Sequence, residues 1–170
     1  GTEDKATGRY TEYGGTTGKF DPKVPWANVK VRQAMNKAIN RNELLRVLYK
    51  GRANPMYVHG FYPDLEGWDP TWEKRFPAMY GYDPAAAKRL LAEAGYPNGF
   101  KAKAWLYPFA GAPEMISVME GVAVQLREVG IDIELVEADW VAAVRPKLQK
   151  REANGYLWAI PPSKKAVEPQ

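Results

Sequence analysis

The chain has 170 residues, of which 45% are hydrophobic and 26% are charged, with 14 prolines, 15 glycines and no cysteine. This composition is typical of one globular domain that buries roughly 70% of its unfolded surface, and it excludes a disordered chain. The lack of cysteine excludes disulfides and thiolate metal sites. The 24 basic and 20 acidic residues are mixed along the chain, so the net charge of +4 favours an ordinary solvated surface over a phosphate-binding one.

The amino-terminal segment is polar and rich in glycine, and it favours at most one short strand near residues 9–13. Its first residues do not show the basic-then-apolar pattern of a signal peptide, and no apolar run reaches the about 20 residues that span a bilayer. We expect a single domain over residues 1–170. Residues 1–23 and 161–170 are expected to be extended or linker segments around a folded part at about 24–160.

Two amphipathic helices are predicted next, because apolar or small side chains recur every three or four residues. These residues are Val31, Ala34, Met35 and Ala38, then Leu44, Leu45 and Leu48. Asn28 is placed to cap the first helix. Asn40 is placed to end it and to cap the second, by accepting from the backbone N–H of Glu43 while Glu43 reaches back in a capping box. Gly51 is predicted to stop the second helix.

Residues 52–82 show neither a helical nor a strand period, and four prolines interrupt a series of aromatic residues. The aromatic residues are Tyr57, Phe61, Tyr62, Trp68, Trp72, Phe76, Tyr80 and Tyr82. We expect a compact connection that packs on the core through its own rings. The alternative is that some of these rings face a ligand.

A third helix has clear boundary signals. Asp83 is placed as its cap, Pro84 as its first residue and Gly95 as its left-handed stop. Its buried stripe is predicted to be Ala87, Leu90, Leu91 and Ala94.

The remainder alternates strand and helix. Strands are predicted at residues 102–107, 131–135 and 156–160, with helices at 114–129 and 140–150 between them. Asp139 is placed to cap the last helix, and Pro146 should kink or split it. This alternation predicts an α/β layer structure with parallel strands joined by right-handed crossovers.

Four segments, in this order, resemble the peptide/nickel class, or family 5, of the extracellular solute-binding proteins of bacterial ABC transporters. The first is VRQAMNKAINR at residues 31–41. The second lies within residues 82–100 and consists of YDP followed by AKRLLAEAGYPNGF. The third is residues 125–126 with 130–134, and the fourth is Asp139-Trp140. Together they cover about residues 24–160. The resemblance implies one lobe of a two-lobed, type II periplasmic-binding-protein-like fold, with a small mixed sheet flanked by helices.

The resemblance also implies a function and partners. The chain is expected to be the second lobe of the solute-binding component of an ABC importer, located in the periplasm or outside the cell and membrane-associated at full length. Its partners would be a small solute such as a peptide or a sugar, the first lobe of the same receptor and the ABC permease. Because the first lobe has no counterpart here, we expect an excised or truncated lobe that can self-associate through its exposed interface.

Ligands of open α/β sheets bind outside the carboxyl ends of the strands. This rule selects Tyr107 and Phe109 after the first strand, Asp139 and Trp140 after the second, and Trp158 at the third. Trp140 is the strongest candidate, because the matching aromatic residue of the family commonly lines the cleft. The alternative for Trp140 is a core residue that packs on the sheet.

One departure from the family concerns the ligand. Peptide-binding members follow the last strand with an acidic residue that pairs with the peptide amine, whereas this chain has no acid between Ala159 and Glu168. A sugar or an acidic solute therefore stays open beside a peptide. We expect an isolated lobe to bind no solute tightly, because it offers half of the contacts.

Two other classes of function are less well supported. An enzyme would need a catalytic constellation, but the only histidine is His59, and no phosphate-binding loop or metal-ligand pair is recognisable. We therefore expect no catalytic residue, no cofactor and no metal, although a small α/β enzyme remains an alternative. A nucleic-acid or protein-interaction module could use the aromatic residues of 52–82, but the basic residues do not follow them, so we expect no nucleic-acid partner.

Overall fold

The computed structural model describes residues 3–4, 9–10, 21–56, 63, 67–109, 112–150 and 152–159. Near the amino terminus, the two-residue strands β1 (Glu3–Asp4) and β2 (Arg9–Tyr10) pair antiparallel. The position of β2 agrees with the start of the predicted strand. The rest of that prediction, residues 11–13, lies outside the described residues.

The two predicted helices are present as α1 (Val29–Ala38) and α2 (Arg41–Tyr49), with a 3-10 turn at Pro25–Ala27 before them. The Asn28 side chain accepts from the backbone N–H of Lys30 at 2.9 Å, and that of Asn40 accepts from Glu43 at 3.1 Å. Both predicted caps are therefore confirmed. The chain leaves α2 through left-handed backbone at Lys50 and Gly51, with φ of 52° and 74°.

The predicted capping box is wrong in its second half. The backbone N–H of Asn40 does not donate to the Glu43 carboxylate. It donates to the side-chain oxygen of Gln125 at 2.9 Å. The amide nitrogen of Gln125 in turn donates to Glu43 at 3.3 Å. Gln125 is only 7% exposed, so a buried side chain from a distant helix takes the place of the local reciprocal bond.

The prediction that residues 52–82 hold no helix is also wrong. Helix α3 spans Trp72–Tyr80 and contains Pro77. Its rings at i and i+4 pack together, with Phe76 and Tyr80 centroids 5.3 Å apart, and Trp68 lies edge-on to Trp72 at 5.3 Å. These ring contacts stabilise a short helix in which one proline is tolerated. Residues 57–62, including His59, and 64–66 lie outside the described part of the chain.

Helix α4 spans Pro84–Glu93 and agrees with its predicted boundaries. The Asp83 side chain accepts from the backbone N–H of Ala86 at 2.8 Å, and Gly95 has a φ of 91°. Ala87 and Leu91 are buried, and Leu90 and Ala94 pack beside them against the core. The helix lies against α1, with Lys30 bonded to Glu93 at 2.8 Å across the exposed rim.

The main sheet has three described strands, β3 (Phe100–Leu106), β4 (Ile131–Glu137) and β5 (Tyr156–Leu157), in the order β4-β3-β5. Both pairings are parallel, from Phe100 opposite Ile131 to Leu106 opposite Glu137, and with Lys103 opposite Tyr156. The predicted α/β class with parallel neighbours is confirmed. We expected a mixed sheet, but these three strands all run in one direction.

Helix α5 (Met115–Glu128) connects β3 to β4, and a split helix connects β4 to β5. The split helix consists of a π-helical segment at Trp140–Val144 followed by α6 (Arg145–Lys150). Asp139 caps it by accepting from Ala142 N–H at 2.6 Å, as predicted. The break precedes Pro146, which lies in the first turn of α6, where its missing N–H needs no intrahelical partner.

The two connections cover opposite faces of the sheet. On the first face, α1, α4 and α5 pack on Ala102, Ala104, Ile131 and Ile133. On the second face, Val144 and Leu148 pack on Trp105 and Tyr107. Because successive strand residues point to opposite faces, odd-numbered residues of β3 face α6 and even-numbered ones face α5. The helices that follow β3 and β4 therefore pack on opposite faces, the arrangement that opens a crevice at the carboxyl edge of α/β sheets.

Among the helices that the structure describes, none combines the length and the apolar character needed to cross a membrane.

Candidate functional site

Three aromatic rings meet where β3 and β4 end. The ring centroids of Tyr107 and Phe109 are 5.0 Å apart, those of Tyr107 and Trp140 are 5.1 Å apart, and those of Phe109 and Trp140 are 5.5 Å apart. Tyr107 is 1% exposed, whereas Phe109 and Trp140 are half-buried. We call these three residues the aromatic wall, since its buried member supports two rings that keep part of their surface open.

The register of the sheet explains why residues so far apart in sequence meet here. Leu106 lies opposite Glu137, and the ladder continues with the Ala138 N–H donating to the Leu106 carbonyl at 3.0 Å. The chain beyond β3 and the chain beyond β4 therefore leave the sheet side by side. Asp139 then starts the π-helical segment, which places Trp140 over Tyr107.

A second group of rings continues the same face toward β5. Trp105 stacks on Tyr156 at 4.4 Å with 13° between the planes, and Trp158 lies 6.2 Å from Trp105. The Lys147 ammonium lies 5.8 Å from the Trp105 centroid and 5.5 Å from that of Tyr156, within the range of a cation–π contact. The exposed rim of this group is therefore positively charged.

The Tyr107 hydroxyl fastens the last described segment to the end of β3. It donates to the Ala159 carbonyl at 2.6 Å. Burial raises the pKa of this phenol to about 12, so it remains a neutral donor at physiological pH. This bond holds Trp158 and Ala159 beside the aromatic wall after β5 has ended.

All five residues predicted for the site lie at this edge of the sheet. Tyr107, Phe109 and Trp140 are in mutual contact, and Trp158 lies 6.2 Å from Trp105 in the same core cluster. Asp139 is exposed, and one of its oxygens is occupied by the Ala142 N–H of the cap. Trp140 packs on its neighbours and also remains partly open.

The sequence-based prediction missed Trp105 and Tyr156. Both contribute rings to the same face, although they lie inside strands and not after them. The period of two along β3 was the signal that could have found Trp105, because it puts that residue on the same side as Tyr107.

Two pockets lie outside the aromatic wall. The first, which we call the apolar pocket, has a volume of about 260 Å³ and lies between α1, α5 and the first face of the sheet. The second is polar, has a volume of about 570 Å³, and lies where α1, α2 and α3 meet.

Arg41 dominates the polar pocket, and its contacts are structural. Its guanidinium donates to the carbonyls of Asn36, Ile39 and Tyr80 at 3.1 to 3.4 Å, and lies 5.1 Å from the Phe76 centroid. Burial lowers the pKa of this group, which nevertheless stays charged. A cation on the carbonyl ends of α1 and α3 stabilises both helices. Within the described ranges, no cluster of three His, Cys, Asp or Glu residues could hold a metal ion.

Known proteins share sequence and fold with this chain. The sequence matches the profile of the family described as "Bacterial extracellular solute-binding proteins, family 5 Middle" over residues 2–166. It is 32% identical over 147 residues to "Heme-binding protein A" of Haemophilus influenzae. This alignment covers 81% of this chain and 23% of that protein.

Solved structures give the same result. The periplasmic binding protein DppA of Helicobacter pylori, in complex with the peptide STSA, has a TM-score of 0.60 and 29% identity, over 75% of this chain and 23% of its own. The dipeptide-binding protein of Pseudoalteromonas sp. SM9913, in complex with Met-Leu, has a TM-score of 0.62 and 28% identity, over 73% of this chain and 24% of its own. The chain thus spans about a quarter of the relatives it matches.

Proposed function

Because this chain belongs to family 5 of the bacterial extracellular solute-binding proteins, we propose that it forms one wall of a solute-binding cleft in a receptor for an ABC importer. The relatives above are binding proteins and not enzymes, in agreement with the sequence-based expectation. The proposed receptor acts in the periplasm or at the cell surface. Its partners are the other lobe, which closes over the solute, and the permease that takes the solute up.

The observation that supports this proposal best is the position of the aromatic wall. It lies at the carboxyl edge of a parallel sheet, beside the ends of β3 and β4, whose following helices pack on opposite faces. This is where open α/β sheets bind ligands. Phe109 and Trp140 offer ring surface that is held in place by the buried Tyr107, so binding a solute there requires little reordering of the wall.

The chemistry of the wall favours a solute with a planar or apolar part. Rings contribute contact area at a low cost in side-chain entropy. One oxygen of the exposed Asp139 carboxylate is used by its helix cap, and Lys147 lies at the rim of the neighbouring rings. DppA and the dipeptide-binding protein hold peptides, which supports a peptide as the first solute class to test.

Affinity is expected to come from enclosure between two lobes. One lobe supplies half of the contacts, while association still costs several kcal/mol in lost freedom of motion. We therefore expect this chain alone to bind a solute with a dissociation constant of about 1 mM or weaker, and the two-lobed receptor to bind far more tightly.

Calorimetry on a two-lobed receptor that contains this chain tests the proposal, with STSA, Met-Leu and hemin as probes. Removing a large ring from a binding wall costs about 2 kcal/mol, so Trp140→Ala should weaken binding roughly 30-fold. Val124→Ala is the matched control, because Val124 is 57% exposed on the outer side of α5. Unchanged affinity of the Trp140 variant would show that the solute binds elsewhere.

A further inference from the structure

The apolar pocket lies at the same edge of the sheet as the aromatic wall, but on the opposite face. Its floor is the sheet, its side walls are α1 and α5, and its outer rim is the segment after β5. The lining residues are Met35, Ile39, Ala104, Val118, Met119, Val122, Ala123, Leu126, Ile133, Leu135, Leu157, Trp158 and Ala159. Every one of these residues is apolar, so the pocket has no side chain that can satisfy a charged ligand.

The size of the pocket indicates what it can hold. The pocket is half-open to solvent, and an enclosed apolar cavity of about 150 Å³ is already large enough for benzene. A pocket of about 260 Å³ can therefore hold an aromatic ring or a branched aliphatic side chain. Met35 and Met119 form part of the lining, and the flexible thioether side chain adapts to groups of different shape.

The pocket and the aromatic wall share one segment of chain. Trp158 and Ala159 line the pocket, and on the other side the Ala159 carbonyl accepts the Tyr107 hydroxyl while Trp158 lies near Trp105. A solute that lies along this edge can therefore touch the wall with one part and insert another part beneath the sheet.

We propose that the apolar pocket is a second subsite of the cleft, which takes an aromatic ring or a branched aliphatic side chain of the solute. This inference rests on the proposed function, because it assigns the pocket to the same ligand. A second copy of the chain that covers this face is the competing occupant, and the test below separates the two.

Benzene is the probe for the test, with the chain labelled at the methionine methyl groups and observed by NMR. Benzene should shift the methyl signals of Met35 and Met119 in a saturable way and leave Met79, which is 49% exposed on α3, unchanged. Val122→Phe places a ring in the pocket and should abolish these shifts. Val124→Phe adds the same ring on the outer side of the same helix and should keep them.

Three results would overturn the inference. The first is the absence of saturable shifts at Met35 and Met119 in the unmodified chain, a result that does not depend on how any variant folds. The second is a folded Val122→Phe variant that still binds benzene. The third is a chain that sediments as a dimer and whose Met35 and Met119 methyl signals shift on dilution, since a second copy would then cover the pocket.

The outcome can be separated from that of the proposed function. Trp140→Ala should leave benzene binding intact, since Trp140 lies on the other face of the sheet. If benzene binds but Trp140→Ala leaves the solute affinity of a two-lobed receptor unchanged, the proposed site is refuted and the pocket is only a hydrophobic cavity. Loss of solute affinity in Trp140→Ala, without benzene binding, refutes the subsite alone.

Discussion

Replacing Gly99 with alanine should destabilise the protein far more than the same change at Gly95, although both glycines have left-handed backbone. Gly99 has a φ of 73° and Gly95 a φ of 91°. The difference lies in their surroundings. A Cβ at Gly99 would lie 1.8 Å from the carbonyl oxygen of Gly130, whereas one at Gly95 would meet nothing within 4 Å.

The magnitude follows from three contributions. A left-handed conformation costs a non-glycine residue about 1–2 kcal/mol, and this applies to both variants. At Gly99 the starts of β3 and β4 must also separate, which strains the packing by about 1–3 kcal/mol. The separation lengthens the bond from the Phe100 N–H to the Gly130 carbonyl, now 3.2 Å, and loses about 1 kcal/mol more. We expect a total of about 3–6 kcal/mol for Gly99→Ala and about 1–2 for Gly95→Ala.

Urea unfolding, followed by tryptophan fluorescence, measures both values. The slope with denaturant should stay constant, so that the midpoint reports stability. Free energies of unfolding that agree within about 0.5 kcal/mol would refute the close approach of the two strands. The prediction also concerns function, because the β3–β4 register that depends on this contact brings Phe109 to Trp140.

The other predictions concern two buried hydrogen bonds. Gln125→Leu removes the acceptor of the Asn40 N–H and should lower the free energy of unfolding by about 1–3 kcal/mol, or the melting temperature by several degrees. The control Gln149→Leu, on the exposed side of α6, should change the melting temperature little. Equal losses in the two variants would contradict the bond between Gln125 and Asn40. Tyr107→Phe should cost about 1 kcal/mol at pH 8, because the Ala159 carbonyl loses its donor. The pKa of Tyr107 is raised from 10.0 to about 12, so the unfolded chain loses this proton first and stability falls between these two values. The free energy of unfolding of the unmodified protein relative to Tyr107→Phe should thus fall by up to about 2–3 kcal/mol toward pH 12, so that the variant becomes the more stable protein there. A difference that stays constant from pH 8 to 11.5 would contradict the buried phenol.

The helix caps could be predicted from the sequence because residues that are close along the chain determine them. Asn40, Asp83 and Asp139 cap their helices because a side-chain oxygen two or three bonds from the chain reaches the next turn in any context. The site could be predicted for a different reason. Parallel strands joined by crossovers bring their carboxyl ends to one edge, so Phe109 and Trp140 meet once the strands are located.

What the sequence did not predict depends on partners that are distant along the chain. Gln125 replaces the local capping bond, 85 residues from Asn40, and nothing in its own helix distinguishes it from an exposed polar residue. Helix α3 was missed because Pro77 indicates a break, while the contact of Arg41 with the Phe76 ring, which helps to hold the helix, comes from a residue distant along the chain. The outcome for Ile160, the predicted end of the last strand, lies outside the described residues.

Chemical-shift mapping of the tryptophan indole N–H groups tests the central claim most directly. We predict that millimolar STSA, Met-Leu or hemin, added to this chain, shifts the signals of Trp140 and Trp158 at the carboxyl edge and leaves Trp26, which packs on the other core cluster, in place. Shifts confined to Trp26 or to Trp72 of α3, with Trp140 unmoved while solute binds, would contradict the assignment of the aromatic wall as the solute-binding surface.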